Sequence, residues 1–264
     1  MRPIITLTTD FGTVDGYVGE MKGVIATHAP DAQMVDITHD IPPQDVERAR
    51  LTVARVWRRF PAGTIHVVVV DPGVGSARAA LAVASDERFL VGPDNGVLSP
   101  ALLVAGMRAV ELPVPRGASA TFHGRDVFAP LAAAIAANRC DPADLGLEVT
   151  SIQQASWTAT GPRADGGIEG VVVAVDRFGN LISNIESAAV VALTMPTVLI
   201  AGLRLPLKRT YGDAREGEYL GLINSFDVLE VAQSRGNAAA GLKLAVGAPI
   251  SVVPGVPDPQ FRRG

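Results

Sequence analysis

Residues 67–78 read Val-Val-Val-Val-Asp-Pro-Gly-Val-Gly-Ser-Ala-Arg. Four consecutive valines are the signal of a buried strand. Pro72 and Gly73 cannot continue a regular sheet, so the strand stops at Asp71. A carboxylate therefore stands at the carboxyl end of an apolar strand, the edge at which open α/β sheets bind ligands. Arg78 follows past Gly73 and Gly75, which let the backbone turn back. A carboxylate and a guanidinium on one tight loop support each other or hold something between them.

On the amino-terminal side, residues 4–8 form a strand signal that closes in Thr8-Thr9-Asp10-Phe11-Gly12. Tyr17, Val18, Met21, Val24 and Ile25 recur at helical spacing, and 33–38 is a second strand. Val46, Ala49, Val53, Val56 and Phe60 trace one face of a helix over 45–60. Arg48, Arg50, Arg55, Arg58 and Arg59 then fit its outer, solvated face. On the other side, strands are expected at 81–84, 88–91 and 108–112, and helices near 98–105 and 128–137. Such alternation predicts a mostly parallel or mixed sheet with helices on both faces.

The texture changes near residue 162. Residues 164–170 are polar and glycine-rich, as in a linker. Beyond them, short strands are expected at 170–175, 181–185, 197–200, 219–223, 228–232 and 249–253, with one short helix at 238–244. Short strands without intervening helices predict a small β-barrel or sandwich. The expected organisation is an α/β domain over 1–163 and a β domain over 168–264.

The chain has 264 residues, 48% of them hydrophobic, and a net charge of −4. That balance argues against nucleic-acid binding, which asks for a basic stripe. The single cysteine, Cys140, excludes an internal disulfide and is expected as a small, half-buried residue at a helix end. No secretory leader and no run of membrane-spanning length is recognised, so the expected location is the cytoplasm.

Three polar clusters interrupt the apolar runs of the first half: Thr8 to Gly12, Asp71 to Gly75, and Thr121-Phe-His-Gly-Arg-Asp126. Singly, each has a plainer explanation. Asp10 could cap the helix that begins near Asp15, Asp71 could close a turn, and Asp126 could favour a helix amino end. If strands one and three are neighbours, however, Asp10 and Asp71 leave the same sheet edge. Three clusters at strand ends then point to a site. His123 stands out among the four histidines, because Gly124 follows it in a polar segment; His28, His39 and His66 are expected to be structural. An Asp, an Arg and a His together can orient one water molecule, the carboxylate accepting its proton. No nucleophile elbow and no phosphate loop competes.

In the second half, Asp176-Arg-Phe-Gly-Asn180, Asn224-Ser225-Phe226, Glu230 and Asn237-Ala238 form a further polar set. Asn side chains suit the edge of an adenine, and Phe178, Tyr211 and Phe226 could stack on a planar ring. Spacing alone reads the same residues as hairpin turns.

Taken in order, Thr-Thr-Asp10-Phe-Gly, Asp71-Pro-Gly-Val-Gly with Arg78, Gly92-Pro-Asp-Asn-Gly96, Phe122-His-Gly-Arg-Asp126 and Asp176-Arg-Phe-Gly-Asn180 resemble one family over residues 3 to 254. It is that of the S-adenosyl-L-methionine hydrolases (adenosine-forming), also called SAM hydroxide adenosyltransferases, relatives of fluorinase and chlorinase. The resemblance implies an amino-terminal α/β domain, a carboxy-terminal β-barrel and homotrimers with active sites between subunits. It implies attack of water or hydroxide at the ribose 5′-carbon, giving adenosine and L-methionine without a metal or other cofactor.

By position, Asp71, Arg78 and His123 match the water-activating triad, and Asp10 matches the aspartate on the ribose hydroxyls. Asn180, with Phe178 beside it, matches the adenine-reading asparagine. Ser225, Glu230 and Ala238 fall where the barrel holds the amino-acid part and the adenine, with Asn224, Phe226, Tyr211 and Asn237 as further candidates. Halogenases of this group carry Tyr in place of Asp71 and lack His123. Their serine, threonine and tryptophan are replaced here by Gly124, Val74 and Gln44. A carboxylate beside a halide is repulsive, so the resemblance favours water. Halide displacement and a non-catalytic sensor for S-adenosylmethionine or adenosine are the competing expectations.

Overall fold

The computed structural model describes residues 2–138, 146–155 and 158–255. Cys140 lies outside the described residues. The chain forms two compact units, Met1–Ser156 and Trp157–Gly264.

The first unit contains β1 (Ile4–Thr9), α1 (Tyr17–His28), β2 (Gln33–Thr38), α2 (Val46–Val56) and β3 (Ile65–Val69). It continues with β4 (Ala80–Ser85), β5 (Arg88–Pro93), α3 (Ser99–Leu102), β6 (Arg108–Leu112), α4 (Ala129–Ala136) and β7 (Leu147–Glu148). The sheet order is β2-β1-β3-β5-β4-β6-β7. β2, β1, β3 and β5 are parallel, whereas β4 is antiparallel to β5 and β6, and β7 to β6. The sheet is thus mixed, with its parallel half at the site.

Alternation along β3 builds both core layers. Val67 and Val69 pack with Met21 and Ile25 of α1 and Phe128 at the start of α4. Val68 and Val70 pack with Ala49 and Val53 of α2 and Ala101 of α3. The valine run is apolar throughout because both faces are covered by helices.

Two local expectations are corrected. Arg50 is fully buried and paired with Glu47, not on a solvated face. The inward stripe of α2 runs through Ala49, Arg50 and Val53, so Arg50 falls within it. The helix expected over 98–105 is only Ser99–Leu102, because Met107 N–H turns back onto the Val104 carbonyl and Gly106 takes a φ of 78°.

The second unit contains β8 (Gly161–Pro162), β9 (Ile168–Val175), β10 (Leu181–Glu186), α5 (Ser187–Val191), β11 (Thr197–Ile200), β12 (Leu203–Pro206), β13 (Tyr219–Ile223), β14 (Val228–Gln233), α6 (Ala238–Leu242) and β15 (Pro249–Val253). The strand order is β12-β11-β15-β9-β10-β14-β13, with β8 on β9. A bridge between Leu207 and Gly221 brings the chain after β12 onto β13, so the sheet is a nearly closed barrel. Gly221 is required there: a Cβ would meet Val198 Cγ2 at 2.5 Å. The stretch 164–170, expected as a linker, lies within the β8–β9 hairpin and runs into β9, with Arg163 N–H on the Gly167 carbonyl. Among the described residues no helix is long and apolar enough to cross a membrane.

Candidate active site

β1 and β3 are neighbours in parallel register, Thr9 opposite Val69. Asp10 and Asp71, each just beyond its strand's last residue, therefore leave the same carboxyl edge. Asp71 begins a tight loop in which Ser76 N–H donates to the Gly73 carbonyl at 3.1 Å and Ser76 Oγ–H to the same oxygen at 2.6 Å. The turn returns Arg78 to Asp71: Nε–H donates to Oδ1 at 3.0 Å and an Nη2–H donates to Oδ2. The side chains are only 6% and 5% exposed, so this is a desolvated, bidentate pair. Arg78 also lies over the Phe128 ring, 5.5 Å from its centroid.

Arg78 Nη2 reaches His123 Nδ1 at 2.9 Å. Arginine only donates, so Nδ1 accepts and the imidazole proton resides on Nε2. Burial and the Arg78 charge hold His123 below its ordinary value of 6.5, with Asp71 and Asp126 opposing them. The ring is therefore neutral at pH 7, with an Nε2–H donor opposite the Arg78 contact. His123 is brought here by close approach of two loops. Gly75, at a φ of 75°, lies against the Ala120 carbonyl, which a Cβ would meet at 2.3 Å.

Asp10 does not cap α1, whose N-cap is Gly16. Its Oδ2 accepts from Gln44 N–H at 2.8 Å. Its Oδ1 has no protein partner among the described residues, so that oxygen is available to a hydroxyl. Phe11, Tyr17 and Phe122 form an aromatic cluster with centroids 5.3–5.7 Å apart. Sequence reasoning missed this cluster; its signal was the Phe beside Asp10 and the Phe beside His123. Among the described residues no group of three or more His, Cys, Asp or Glu is placed to hold a metal ion.

In the second unit, Asp176 Oδ1 accepts from Phe178 N–H at 2.9 Å and Asn180 N–H at 2.8 Å. Asn180 Nδ2–H donates to Asp176 Oδ2 at 2.9 Å. This orients Asn180 and leaves its Oδ1 as an acceptor without a protein partner among the described residues. Asn237 accepts from Ala240 N–H at 2.8 Å, and its side chain fills the space over Gly179. It therefore joins α6 to the Asp176–Asn180 turn. Ala238 beside it is fully buried.

Glu230 is 3% exposed and accepts from Tyr211 Oη–H at 2.7 Å and Asn224 Nδ2–H at 3.2 Å. Burial and then Glu230 push the Tyr211 hydroxyl above its ordinary value, and Asp176 adds to this. Ile182, two residues after Asn180, pairs with Glu230 across β10 and β14, so the two clusters are neighbours in the barrel. Ser225 and Phe226 are exposed on the adjoining turn, and Phe178 is exposed on the Asp176–Asn180 turn. The structure thus gathers Asp71, Arg78 and His123 into one set. Asn180, Tyr211, Asn224, Glu230, Asn237 and Ala238 make another, while Asp10 sits on the sheet edge of the first.

Similarity to known proteins covers both units. The chain is 40% identical to the (R)-S-adenosyl-L-methionine hydrolase of Thermus thermophilus, over 96% of this chain and all of that one. It is equally identical to the enzyme of that name from Salinispora arenicola, over 96% and 98% of the two chains. The structure of an uncharacterized conserved protein from Thermotoga maritima superposes with a TM-score of 0.87 at 30% identity, covering 94% of this chain and 99% of that one. Residues 5–146 match the SAM hydroxide adenosyltransferase N-terminal domain and residues 170–251 the corresponding C-terminal domain. The chain belongs to the SAM hydroxide adenosyltransferase family.

Proposed function

We propose that the protein hydrolyses S-adenosyl-L-methionine to adenosine and L-methionine. The single observation that carries this is the buried Asp71–Arg78–His123 set, which offers an anionic acceptor beside a neutral imidazole donor. A water molecule accepts from His123 Nε2–H and donates one proton to the Asp71 carboxylate. Its remaining lone pair is then free to attack the ribose 5′-carbon.

The new bond is C5′–O, and the bond broken is C5′–S. Its electron pair passes to the sulfonium sulfur, which leaves as the neutral thioether of methionine. The water proton moves to Asp71 and from there to solvent. Sulfonium needs no general acid, so rate enhancement comes from in-line positioning and a dry site. Arg78 holds the carboxylate in place and keeps Nδ1 of His123 occupied.

Asp10 Oδ1 is the acceptor for a ribose hydroxyl. Asn180 Oδ1 takes the exocyclic amino group of adenine, with Phe178 beside the ring. Tyr211, Asn224, Ser225, Phe226 and Glu230 line the region for the amino-acid part and the adenine edge, and Asn237 and Ala238 support the adenine turn. A halide at the water position would face the Asp71 carboxylate, so chloride and fluoride are excluded as nucleophiles by repulsion. We extend to this chain the homotrimer that the family resemblance implies, with each site built from the first unit of one protomer and the barrel of its neighbour, and we keep the cytoplasm, expected from the sequence, as its location.

The two relatives are named for the (R) sulfonium epimer, so both epimers belong in the assay. Purified protein incubated separately with the (R) and (S) forms is expected to release adenosine and L-methionine from at least one, with chloride without effect. Chloride-dependent 5′-chloro-5′-deoxyadenosine as the main product would overturn the choice of water. Binding of intact substrate without turnover over many hours would favour the sensor. Light scattering on the same sample tests the trimer.

A further inference from the structure

Gly92-Pro-Asp-Asn-Gly96 takes no part in the chemistry just described, yet it grips the reactive loop at both ends. Asp94 N–H donates to the carbonyl of Ala79, the residue after Arg78, at 2.9 Å. Asn95 Nδ2–H donates to the carbonyl of Val70, the residue before Asp71, at 2.9 Å. Val70 lies one residue past the end of β3 and is fully buried, so its carbonyl has no access to solvent. Asn95 Oδ1 accepts from Val97 N–H at 3.2 Å, which fixes the sense of the amide: the other orientation would set two donors face to face.

The Val70–Asp71 peptide is the last rigid unit before the Asp71 side chain. Its carbonyl direction sets the ψ of Val70 and so the point from which the carboxylate projects. The motif is itself firmly seated. Gly92 lies against the Val68 carbonyl, which a Cβ would meet at 2.5 Å, and Asp94 Oδ1 accepts from Gln153 N–H at 2.8 Å. Asn95 thus couples a well-anchored turn to the one peptide that aims the reacting carboxylate.

We propose that Asn95 is a positioning residue for the hydrolysis, holding the Val70 carbonyl and thereby the attack geometry of Asp71. This rests on the hydrolase reading of the site. Asn95→Ala removes the donor. Asn95→Asp keeps the acceptor for Val97 but sets a carboxylate oxygen against the buried Val70 carbonyl, so Asn95→Leu, close in size, uncharged and without the donor, serves if the alanine variant does not fold.

The test is a double-mutant cycle with Asp71→Asn in the full chain, read as kcat and as adenosine Kd. Asn95→Ala is expected to lower kcat about 30–100-fold in the wild-type background, the scale of a misplaced catalytic group. In the Asp71→Asn background it is expected to change kcat less than about 3-fold, because coupled residues are non-additive. Adenosine Kd is expected to stay within about 3-fold of wild type, in contrast to the loss of kcat.

A second readout needs no turnover. The His123 ring, which faces Arg78, Asp71 and Asp126, is followed by NMR titration. Displacement of the loop loosens the burial of the ring and carries Arg78 and Asp71 away together; because Arg78 acts on the ring more strongly than Asp71, the ring then titrates closer to 6.5. Equal loss of kcat in both backgrounds, parallel loss of adenosine binding, or unchanged kcat overturns the proposal. A wild-type protein that turns over no substrate overturns the hydrolase reading instead. The His123 titration then still decides whether Asn95 holds the loop: an unmoved ring says that it does not.

Discussion

Gly75→Ala separates the two loops that build the triad while leaving Asp71 and Arg78 together on one of them. The new Cβ would lie 2.3 Å from the Ala120 carbonyl oxygen. Ordinary C···O contacts begin near about 3.3 Å, so the loops must part by about 1 Å. That displacement takes the 2.9 Å Arg78–His123 contact beyond hydrogen-bonding range. A misplacement of this size lowers kcat by about 100-fold.

Alanine at a φ of 75° adds a backbone penalty of about 1–2 kcal/mol. Gly63→Ala is the control, because Gly63 has a φ of 80° with nothing within 4 Å of its Cβ position. Both variants lose stability through backbone strain, and only Gly75→Ala loses its catalytic geometry. The assay pairs adenosine release under saturating substrate with thermal melts of both variants. If Gly75→Ala loses no more activity than Gly63→Ala, loop contact does not assemble the triad and the geometric reasoning fails.

Further outcomes are expected. Asp71→Asn and His123→Ala each lower kcat by at least about 100-fold while adenosine Kd, followed by calorimetry, changes little; equal loss of both would remove their assigned roles. The pH profile of kcat/KM has its acid limb below 6.5, because His123 is depressed from that value, and activity present above the limb is lost as the ring protonates and Nδ1 turns from acceptor to donor against Arg78. A limb at or above 6.5 would contradict the neutral ring. Asn180→Ala raises adenosine Kd about 10-fold, near 1.4 kcal/mol, with a smaller effect on kcat; unchanged affinity would count against adenine reading.

His66 gives a linked stability test: burial first, then the Arg88 charge, lowers it to about 4. The unfolded chain binds that proton near 6.5, so stability falls as pH drops from 6.5 to 4 and changes no further from this group below that. The loss is about 3 kcal/mol. Chemical denaturation across that window shows it, and His66→Asn removes most of it.

Much of this site was legible in the sequence because its parts sit at strand ends. The valine run before Asp71, and the two glycines before Arg78, announce a carboxylate–guanidinium loop on local grounds alone. His123 was legible as a presented ring, but its contact with Arg78 depends on the close approach at Gly75, a tertiary fact with no local signal. The plainer explanation for Asp10, a helix cap, fails because Gly16 takes the N-cap and Asp10 instead holds Gln44.

Arg50 was misread because a charged residue in a helix is ordinarily solvated, and only the packed stripe of α2 shows otherwise. β12 and α5, only four and five residues long, are too short to show a period. In the barrel, Asn237 reads equally as a turn residue or a ligand, and the structure gives it a third office: it caps α6 and packs on Gly179. The role of Asn95 was invisible, since its partner is a main-chain carbonyl.

The most direct test of the account is a single turnover in ¹⁸O-labelled water. One ¹⁸O atom is expected in the 5′-hydroxyl of adenosine, L-methionine is expected unlabelled and in equal amount, and Asp71→Asn is expected to abolish the label on the same timescale. Adenosine released without ¹⁸O, or label appearing undiminished with Asp71→Asn, would contradict water attack directed by Asp71.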